Sequence, residues 1–385
     1  MENGYIKTGI IGMGFIGISH IEAVRRIGFS ELVAITDVNY NLAKARTDEY
    51  HIGKCYKTVD ELLADNEINV IHNCTPNNMH TEINERIIKA GKHVFSEKPL
   101  AIASSESEHL LKLVEKYPKT VHGVNFNYRM NPLVQEMKNR IKKGEIGTPK
   151  LVYGSYLQDW LLFETDYNWR IEPEISGTSR CIADIGSHWI DCVQMVTGGK
   201  ITEVCSDLVT VLPTRKKPKK QVETFAVNDD TEYENKDIST EDYGAVIFKM
   251  DNGAHGVFNV SQVSAGRKCY LNFEIAGSKA SFYWNQESAD VMWMGFRDKD
   301  NHQIMRNPNL MTLEAKPYTY LAAGHPEGWN DALKNNILSF YKFISEGKQL
   351  GKDAHDFATF VEGHYIIKIT EAILESNKTK RWVKM

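Results

Sequence analysis

Six residues, Gly12-Met13-Gly14-Phe15-Ile16-Gly17, close an apolar run, Ile6–Ile11, and open a stretch with helical spacing. Few chain paths use three glycines at these spacings. The first permits a tight strand-to-helix turn, the second lets backbone approach a phosphate at a helix N-terminus, and the third lets the helix pack close to its strand. The context of strand, glycines and helix makes this a dinucleotide fingerprint, with Gly12, Met13, Gly14, Phe15, Ile16 and Gly17 as its cradle. Twenty residues beyond Gly17, Asp37 ends a second apolar run, where a carboxylate can accept bonds from both ribose hydroxyls and repels a 2′-phosphate. NAD is therefore the expected cofactor, although Lys44 and Arg46, one turn later, keep dual specificity open.

The first third alternates β-branched runs with helical periodicity, the pattern of βαβ units. Strands are expected at Ile6–Ile11, Leu32–Thr36, Val70–Cys74, His93–Phe95 and Thr120–Val124. Helices should begin near Gly14, Asn41, His80 and Ser105, the last with Glu108 at capping-box spacing. After Asn125 the texture changes. Helices around Leu133–Lys143 and Ile182–Thr197 precede alternating runs at Glu203–Val211, Gly244–Met250, Gly256–Val263, Tyr270–Ala276 and Ser281–Trp284, separated by turn signals such as Asp251-Asn252-Gly253. The fold class expected is an α/β Rossmann domain with a doubly wound parallel sheet (1–126), then an α+β domain with a large, mostly antiparallel sheet (127–385) for substrate binding and oligomerisation. At 385 residues the chain exceeds what one core usually supports, which agrees with two domains.

The segment Thr214–Thr240 starts with a basic run, Arg215-Lys216-Lys217-Pro218-Lys219-Lys220, and turns acidic and poor in apolar residues, so it is expected as a solvated excursion between strands. With a formal net charge of -4, nothing calls for a nucleic-acid partner. Six scattered cysteines without a CxxC pair suit free thiols, hence a reducing compartment. No uncharged stretch approaches the ~20 residues of a membrane span, so a cytoplasmic protein without membrane contact is expected.

Further along stand Thr75-Pro76-Asn77-Asn78-Met79-His80, Gly91-Lys92-His93-Val94-Phe95-Ser96-Glu97-Lys98-Pro99, Asn127-Tyr128-Arg129, Trp169-Arg170 and Asp184-Ile185-Gly186-Ser187-His188-Trp189-Ile190-Asp191. In this order they resemble the signatures of the Gfo/Idh/MocA oxidoreductase family across nearly the whole chain. The resemblance implies a catalytic set of Lys98, Asp184 and His188, and adds Thr75, Pro76, Asn77, His80, Glu97, Lys98 and Asn125 to the cofactor contacts. The chemistry fits independently. Oxidising a secondary alcohol needs a hydride acceptor over the carbinol carbon and a base within reach of the hydroxyl. Asp184 and His188 lie four apart in an expected helix, on one face, with Asp191 near the same stripe. Lys98, before Pro99 at a strand's carboxyl end, can bond the substrate oxygen and steady an alkoxide, leaving His188 as base. A depressed lysine pKa would let the two exchange roles. Taken singly, a Glu-Lys pair is more often a surface ion pair and a histidine on an apolar face more often core. A metal held by Asp184, His188 and Asp191 is not expected, since hydride transfer needs none.

Two stretches depart from or add to the pattern. Ser176-Gly177-Thr178-Ser179-Arg180 replaces a glycine run before Asp184, with Arg180 expected as an extra pocket donor. Ala323-Gly324-His325-Pro326-Glu327-Gly328-Trp329 resembles a GHxEG segment of members that act on pyranosides. Rings and fork donors suit sugars, so Tyr128, Trp160, Trp169, Arg170 and His325 join Lys98, Asp184 and His188 as the expected substrate shell. The expected function is NAD(H)-dependent oxidation of a ring hydroxyl of a sugar, glycoside or inositol, at the sugar 3-position. Alternatives are an NAD-retaining glycosidase working by transient oxidation and elimination, and a non-catalytic NAD or sugar sensor. An apolar sheet face suggests a homo-oligomer, dimer or tetramer.

Overall fold

The computed structural model describes residues 5–219 and 232–385. Those up to Met130, together with Asn330–Tyr365, form one compact unit, and Asn131–Trp329 with Ile366–Met385 form the other. The first unit opens with β1 (Ile6–Ile11), α1 (Phe15–Arg25), β2 (Ser30–Thr36), α2 (Tyr40–Glu49), β3 (Lys54–Tyr56), α3 (Val59–Ala64), β4 (Val70–Asn73), α4 (His80–Lys89), β5 (His93–Ser96), α5 (Ser104–Lys116) and β6 (His122–Val124). Its sheet runs β3-β2-β1-β4-β5-β6, all parallel. A parallel sheet is covered on both faces, which is why β1 and β4 read as near-continuous apolar runs and are buried. The chain leaves β1 towards β2 on one side, while β4 lies on the other. The carboxyl ends of β1 and β4 therefore flank a switch point, where open α/β sheets bind ligands.

Between β1 and β6, two elements were not expected. β3 has three residues and no alternation to betray it, and α3 follows it with a true capping box, Thr58 and Glu61. The box expected at Ser105 does not form. That helix starts at Ser104 after Ala103, without a side-chain cap, and Glu106 instead accepts bonds from Thr81 and from the Ile102 amide.

The second unit holds α6 (Pro132–Lys142), β7 (Pro149–Leu157), α7 (Pro173–Ser176), a π-helical turn (Ile182–Gly186), α8 (Ser187–Thr197), β8 (Ile201–Val209), β9 (Thr214–Pro218), β10 (Tyr233–Asp237), β11 (Tyr243–Met250), β12 (His255–Ser261), β13 (Tyr270–Gly277), β14 (Ser281–Asn285), β15 (Val291–Gly295) and β16 (His302–Met305). After them come α9 (Trp329–Ser345), α10 (Phe360–Thr379) and β17 (Val383–Lys384). Nine strands form one sheet in the order β16-β15-β14-β13-β7-β12-β11-β8-β17, antiparallel except between β7 and β12. Period-2 alternation puts Val246, Phe248 and Phe258 inside, where Trp189 of α8 stacks on Phe258 at 4.5 Å and gives its indole N–H to Asn272 O. Among the described residues no helix is long and apolar enough to cross a membrane, and all six cysteines are free thiols.

The basic run is not a solvated excursion over its described part. β9 and β10 pair as an antiparallel ribbon, and residues 220–231 lie outside the described residues. Arg215 is fully buried and donates to Asp242 Oδ1 at 2.8 Å and to Leu161 O at 2.8 Å. Arg180 bonds the same carboxylate, so it is a core cation rather than a free pocket donor. Desolvation demands this: a buried guanidinium must find a carboxylate, and one carboxylate serves two.

Residues 330–365 pack with the first unit. Phe340 of α9 meets Phe95 at 5.1 Å, and the Val124 amide bonds Ala358 O at 2.8 Å. Division at residue 126 leaves this segment with the second domain, because nothing local to it announces a partner two hundred residues upstream. Removing the shared carboxylate should be costly: Asp242→Asn is expected to destabilise the protein by ~3–5 kcal/mol, read as a fall in the urea midpoint, because two arginines lose their counter-charge.

Candidate functional site

Two glycines of the loop after β1 are demanded by the chain itself. Gly12 has φ +98°, and a Cβ there would stand 2.5 Å from Cys74 O. One on Gly17 would stand 2.1 Å from Gly12 O. Gly14 differs: a Cβ would meet nothing within 4 Å, so the chain does not need glycine there, and the open space fits an incoming phosphate. It is the N-cap of α1, with no side-chain cap and no acidic residue in the first turn, so the positive end of the helix faces that space. Met13 is buried and gives its amide to Asp37 Oδ2 at 2.7 Å, while the Asn39 amide holds Oδ1 at 2.8 Å. Each oxygen keeps a lone pair for a ribose hydroxyl. Phe15 and Val38, exposed beside this turn, form an apolar shelf.

The loops after β4 and β5 form the second wall within the same unit. Asn73 accepts from the Thr75 hydroxyl at 2.7 Å and donates to Asn84, which donates to Ser96. His80 is buried and spans the two loops, with Nε2 2.8 Å from Thr75 O and Nδ1 2.6 Å from Pro99 O. Burial draws His80 below its ordinary range against the pull of these carbonyls. Pro76 and Asn77 lie at the rim, where Pro76 caps the short turn Asn77–Met79. Glu97 is buried: its Oε1 accepts from His20 Nε2 at 2.9 Å and Asn125 Nδ2 at 2.6 Å, and its Oε2 accepts from the Lys98 amide at 3.2 Å. Burial pushes this carboxyl up, but His20, Asn125 and Lys98 more than offset it and hold it down at about 2. Lys98 is half-buried ahead of a cis bond to Pro99. Asn125 accepts in turn from Asn336, and Tyr128 is buried in the turn that follows. His80, Glu97 and Asn125 thus sit beneath the surface that Gly14, Asp37 and Lys98 present.

In the second unit Asp184 lies in the π turn and His188 in the first turn of α8. The expected continuous helix instead opens with wider i→i+5 turns, a feature common at functional sites. Asp184 Oδ2 accepts from Gln262 Nε2 at 2.9 Å, and Oδ1 lies 3.8 Å from Arg170 Nε. Gln262, fully buried, escaped the sequence reading although it lies within an expected strand; its polar side chain at an inward position was the available signal. Glu241, raised by burial, accepts from Ser179 Oγ at 2.7 Å and from the Arg180 and Ile182 amides at 3.0 Å, and so pins the approach to Asp184. His188 and Asp191 are buried, and the His188 ring lies 6.4 Å from that of Tyr156. The Arg170 guanidinium covers the Trp169 ring at 4.4 Å. Trp160 gives its indole N–H to Gln158 and packs on Leu161, Ile171 and Ile238. His325 is exposed, on a loop built around buried Glu327, whose Oε1 accepts from the Tyr320 and Leu321 amides and from Arg306. Among the described residues no cluster of three or more His, Cys, Asp or Glu is arranged to hold a metal ion.

The family model described as an oxidoreductase family with an NAD-binding Rossmann fold matches residues 6–126, and that of the GFO/IDH/MocA C-terminal domain matches residues 134–283. The chain is similar to levoglucosan dehydrogenase of Pseudarthrobacter phenanthrenivorans, 28% identical across 100% of this chain and 98% of that protein. It is also similar to glucose-6-phosphate 3-dehydrogenase of Bacillus subtilis, 27% identical over 87% of each. Among solved structures, levoglucosan dehydrogenase in complex with NADH and levoglucosan matches with a TM-score of 0.87 at 26% identity over 99% of both chains.

Asp37→Ala tests the ribose reading of this carboxylate. NADH affinity, measured by fluorescence titration, should fall by roughly 10–100-fold, the loss of one or two charge-assisted bonds, and the preference over NADPH should narrow. Weakening of both cofactors alike would reduce Asp37 to a brace for the Met13 and Asn39 amides.

Proposed function

The chain belongs to the Gfo/Idh/MocA family of oxidoreductases, and from that premise we propose that it oxidises a ring hydroxyl of a sugar, glycoside or inositol, reversibly, at the sugar 3-position, with His188 as base. It is an NAD-dependent sugar or polyol dehydrogenase. The observation that carries the reading is Lys98, held at the carboxyl end of the parallel sheet beside an ionised carboxylate, on the unit that also presents the open N-terminus of α1.

NAD, when bound, supplies the hydride acceptor. The chain's own residues do the rest. Gly14 and the first turn of α1 receive the pyrophosphate, Asp37 the adenosine ribose, and Phe15 with Val38 the adenine face. The Lys98 ammonium donates to the alcohol oxygen and steadies it as negative charge develops, while His188 takes the hydroxyl proton. Asp184, bonded by Gln262 and faced by Arg170, is the carboxylate assigned to favour the charged imidazole. Trp169 and Arg170 offer a ring face and fork donors to a sugar, and Tyr128, Trp160 and His325 complete the shell. A relative named for action at position 3 of glucose 6-phosphate supports that choice of carbon.

The exposed face of the nine-stranded sheet carries Leu151, Tyr153, Ile247 and Val257, with Val257 paired to both Tyr153 and Ile247. A contiguous apolar strip of this kind on an exposed sheet face fits a second copy of the chain, as a dimer or tetramer.

Turnover, NADH binding and light scattering test these statements. Absorbance of the reduced nicotinamide should rise when NAD is added with a member of a panel of inositols, hexoses and glycosides. Lys98→Ala and His188→Ala should each lower kcat by ~10²–10⁴-fold while NADH still binds. No response to any carbohydrate overturns the substrate class, and a response without added NAD moves the reading to the NAD-retaining glycosidase. By light scattering the protein should be oligomeric and Val257→Lys should shift it towards monomer; a monomeric native protein ends the oligomer proposal.

A further inference from the structure

The basic run that opens β9 sends one of its cations inward, and the proposed chemistry makes no use of it. From Leu157, where β7 ends, the chain runs to Ile171 with no more regular structure than the short turn Trp169–Ile171, and this loop carries Trp160, Trp169 and Arg170. A small apolar cluster, Leu161, Ile171 and Ile238, lies beneath it, with Trp160 and Tyr167 packed against it. Arg215 adds a polar tie. Its Nη1 donates to Phe163 O at 2.9 Å and to Asp166 O at 3.2 Å, and its Nη2 donates to Leu161 O and to Asp242 Oδ1, each at 2.8 Å. The neighbouring Lys216 amide donates to Glu164 O at 2.8 Å, so β9 backs the loop at the carbonyls of Leu161, Phe163, Glu164 and Asp166.

Charge balance does not explain this arginine. Arg180 by itself balances Asp242, and a second fully buried guanidinium adds a desolvation cost. What Arg215 supplies is a planar fork that serves three carbonyls of one loop while fixed to a carboxylate, a geometry that the single ammonium of a lysine cannot copy. The carboxylate end of that fork belongs to the framework of the candidate site. The Gln262 amide donates to Asp242 O at 3.0 Å, the Leu161 amide to Gln262 O at 3.1 Å, and Gln262 Nε2 to Asp184 Oδ2 at 2.9 Å. Arg180 O accepts from the Asp184 amide at 2.8 Å. The loop with the two tryptophans and the turn with Asp184 therefore hang from the same pair, Asp242 and Gln262, and Arg170 Nε of the loop comes to 3.8 Å from Asp184 Oδ1.

We propose that Arg215 is a positioning residue for carbohydrate recognition: it fixes the loop of residues 158–171 to Asp242 and so sets Trp169 and Arg170 against Asp184. The proposal rests on the reading of Trp160, Trp169 and Arg170 as sugar-facing residues. Without Arg215 the carbonyls of Leu161, Phe163 and Asp166 lose their common donor, and the loop is free to take several paths. A sugar must then order the loop as it binds, which weakens affinity for the sugar and blurs the choice between sugars. The cofactor contacts lie in the first unit and do not depend on this loop.

The test uses the full chain as Arg215→Met and Arg215→Lys. Hydrogen exchange followed by mass spectrometry reads the loop without turnover: in Arg215→Met the amides of residues 159–171 should exchange ~10–100-fold faster, with those of β12 and β13 unchanged. With the carbohydrate of highest kcat/KM from the panel above, KM should rise ~10-fold while kcat falls less than ~3-fold and NADH affinity holds. Discrimination against an epimer of that carbohydrate should narrow. Arg215→Lys keeps the charge but not the fork, and should move exchange and KM less, in the same direction. A role in stability alone would lower the yield of active enzyme and leave KM and the epimer ratio where they were. A folded Arg215→Met protein with unchanged loop exchange, or with unchanged KM, overturns the proposal. Should that variant not fold, Arg215→Lys must show both shifts or the proposal falls. If the wild-type protein oxidises no carbohydrate, the dehydrogenase reading fails, while exchange of residues 159–171 still decides whether Arg215 orders the loop.

Discussion

The first unit is organised by the need to keep one carboxylate charged inside a protein. Glu97 is buried, and desolvation alone would push it towards the neutral form. It stays ionised because donors arrive from α1, from the chain after β6 and from its own following amide. Depression from 4.5 to about 2 corresponds to about 3 kcal/mol of linkage in favour of the folded state. The folded value is the lower one, so this contribution is full above pH 4.5 and is lost as pH falls towards 2. Each donor has its own support: Asn336 behind Asn125, and His72 with Tyr341 behind His20. Both supports draw on α9, which gives residues 330–365 a reason to fold with the first unit beyond apolar contact.

The second unit solves the same problem with different charges. Asp242 compensates two buried arginines, and Glu241 beside it, raised by burial, receives the backbone that leads into the π turn. Asp184 emerges from that turn half-buried, with its carboxylate directed by a fully buried glutamine. In both units a residue proposed for the chemistry, Lys98 or Asp184, is bonded to a buried polar group one step behind it. Such pairs cost more than apolar packing, and what they supply is orientation and charge state.

Elements whose cause is local were legible in the sequence. The glycine turn, the buried parallel strands and the alternating strands of the large sheet follow from spacing within ten residues or so, and β1 and the start of α4 fall where expected. Features set by distant partners were not. Arg215 sits in a basic run and reads as solvated, because Asp242 and the Leu161 carbonyl that bury it lie far along the chain. β7 occupies the middle of the large sheet yet was not among the expected strands, since its parallel partner β12 is a hundred residues away and no hairpin turn marks the pairing. Ser105 has the spacing of a capping box, but Glu106 turns to Thr81 and Ile102 and the helix starts a residue sooner. The candidate site follows the same division. Gly14, Asp37, Lys98, Asp184 and His188 lie in motifs, whereas Gln262, His20 and His72 act through contacts that only the fold creates.

This division bears on how substrate choice can change without loss of chemistry. The loop with His325 does not owe its shape to histidine: Glu327 gathers the Tyr320 and Leu321 amides, and Arg306 binds the carbonyls of Leu321, Ala322 and His325. The scaffold of that loop is buried and the side chain it displays is exposed, so position 325 can vary while the backbone around it stays fixed. Asp184 is held from within, its Oδ2 accepting from the fully buried Gln262, and the Lys98 amide is tied to the buried Glu97. Under the proposed assignments, a fold built in this way holds Lys98 and Asp184 in place and leaves the recognition of a particular carbohydrate to exposed positions on braced loops.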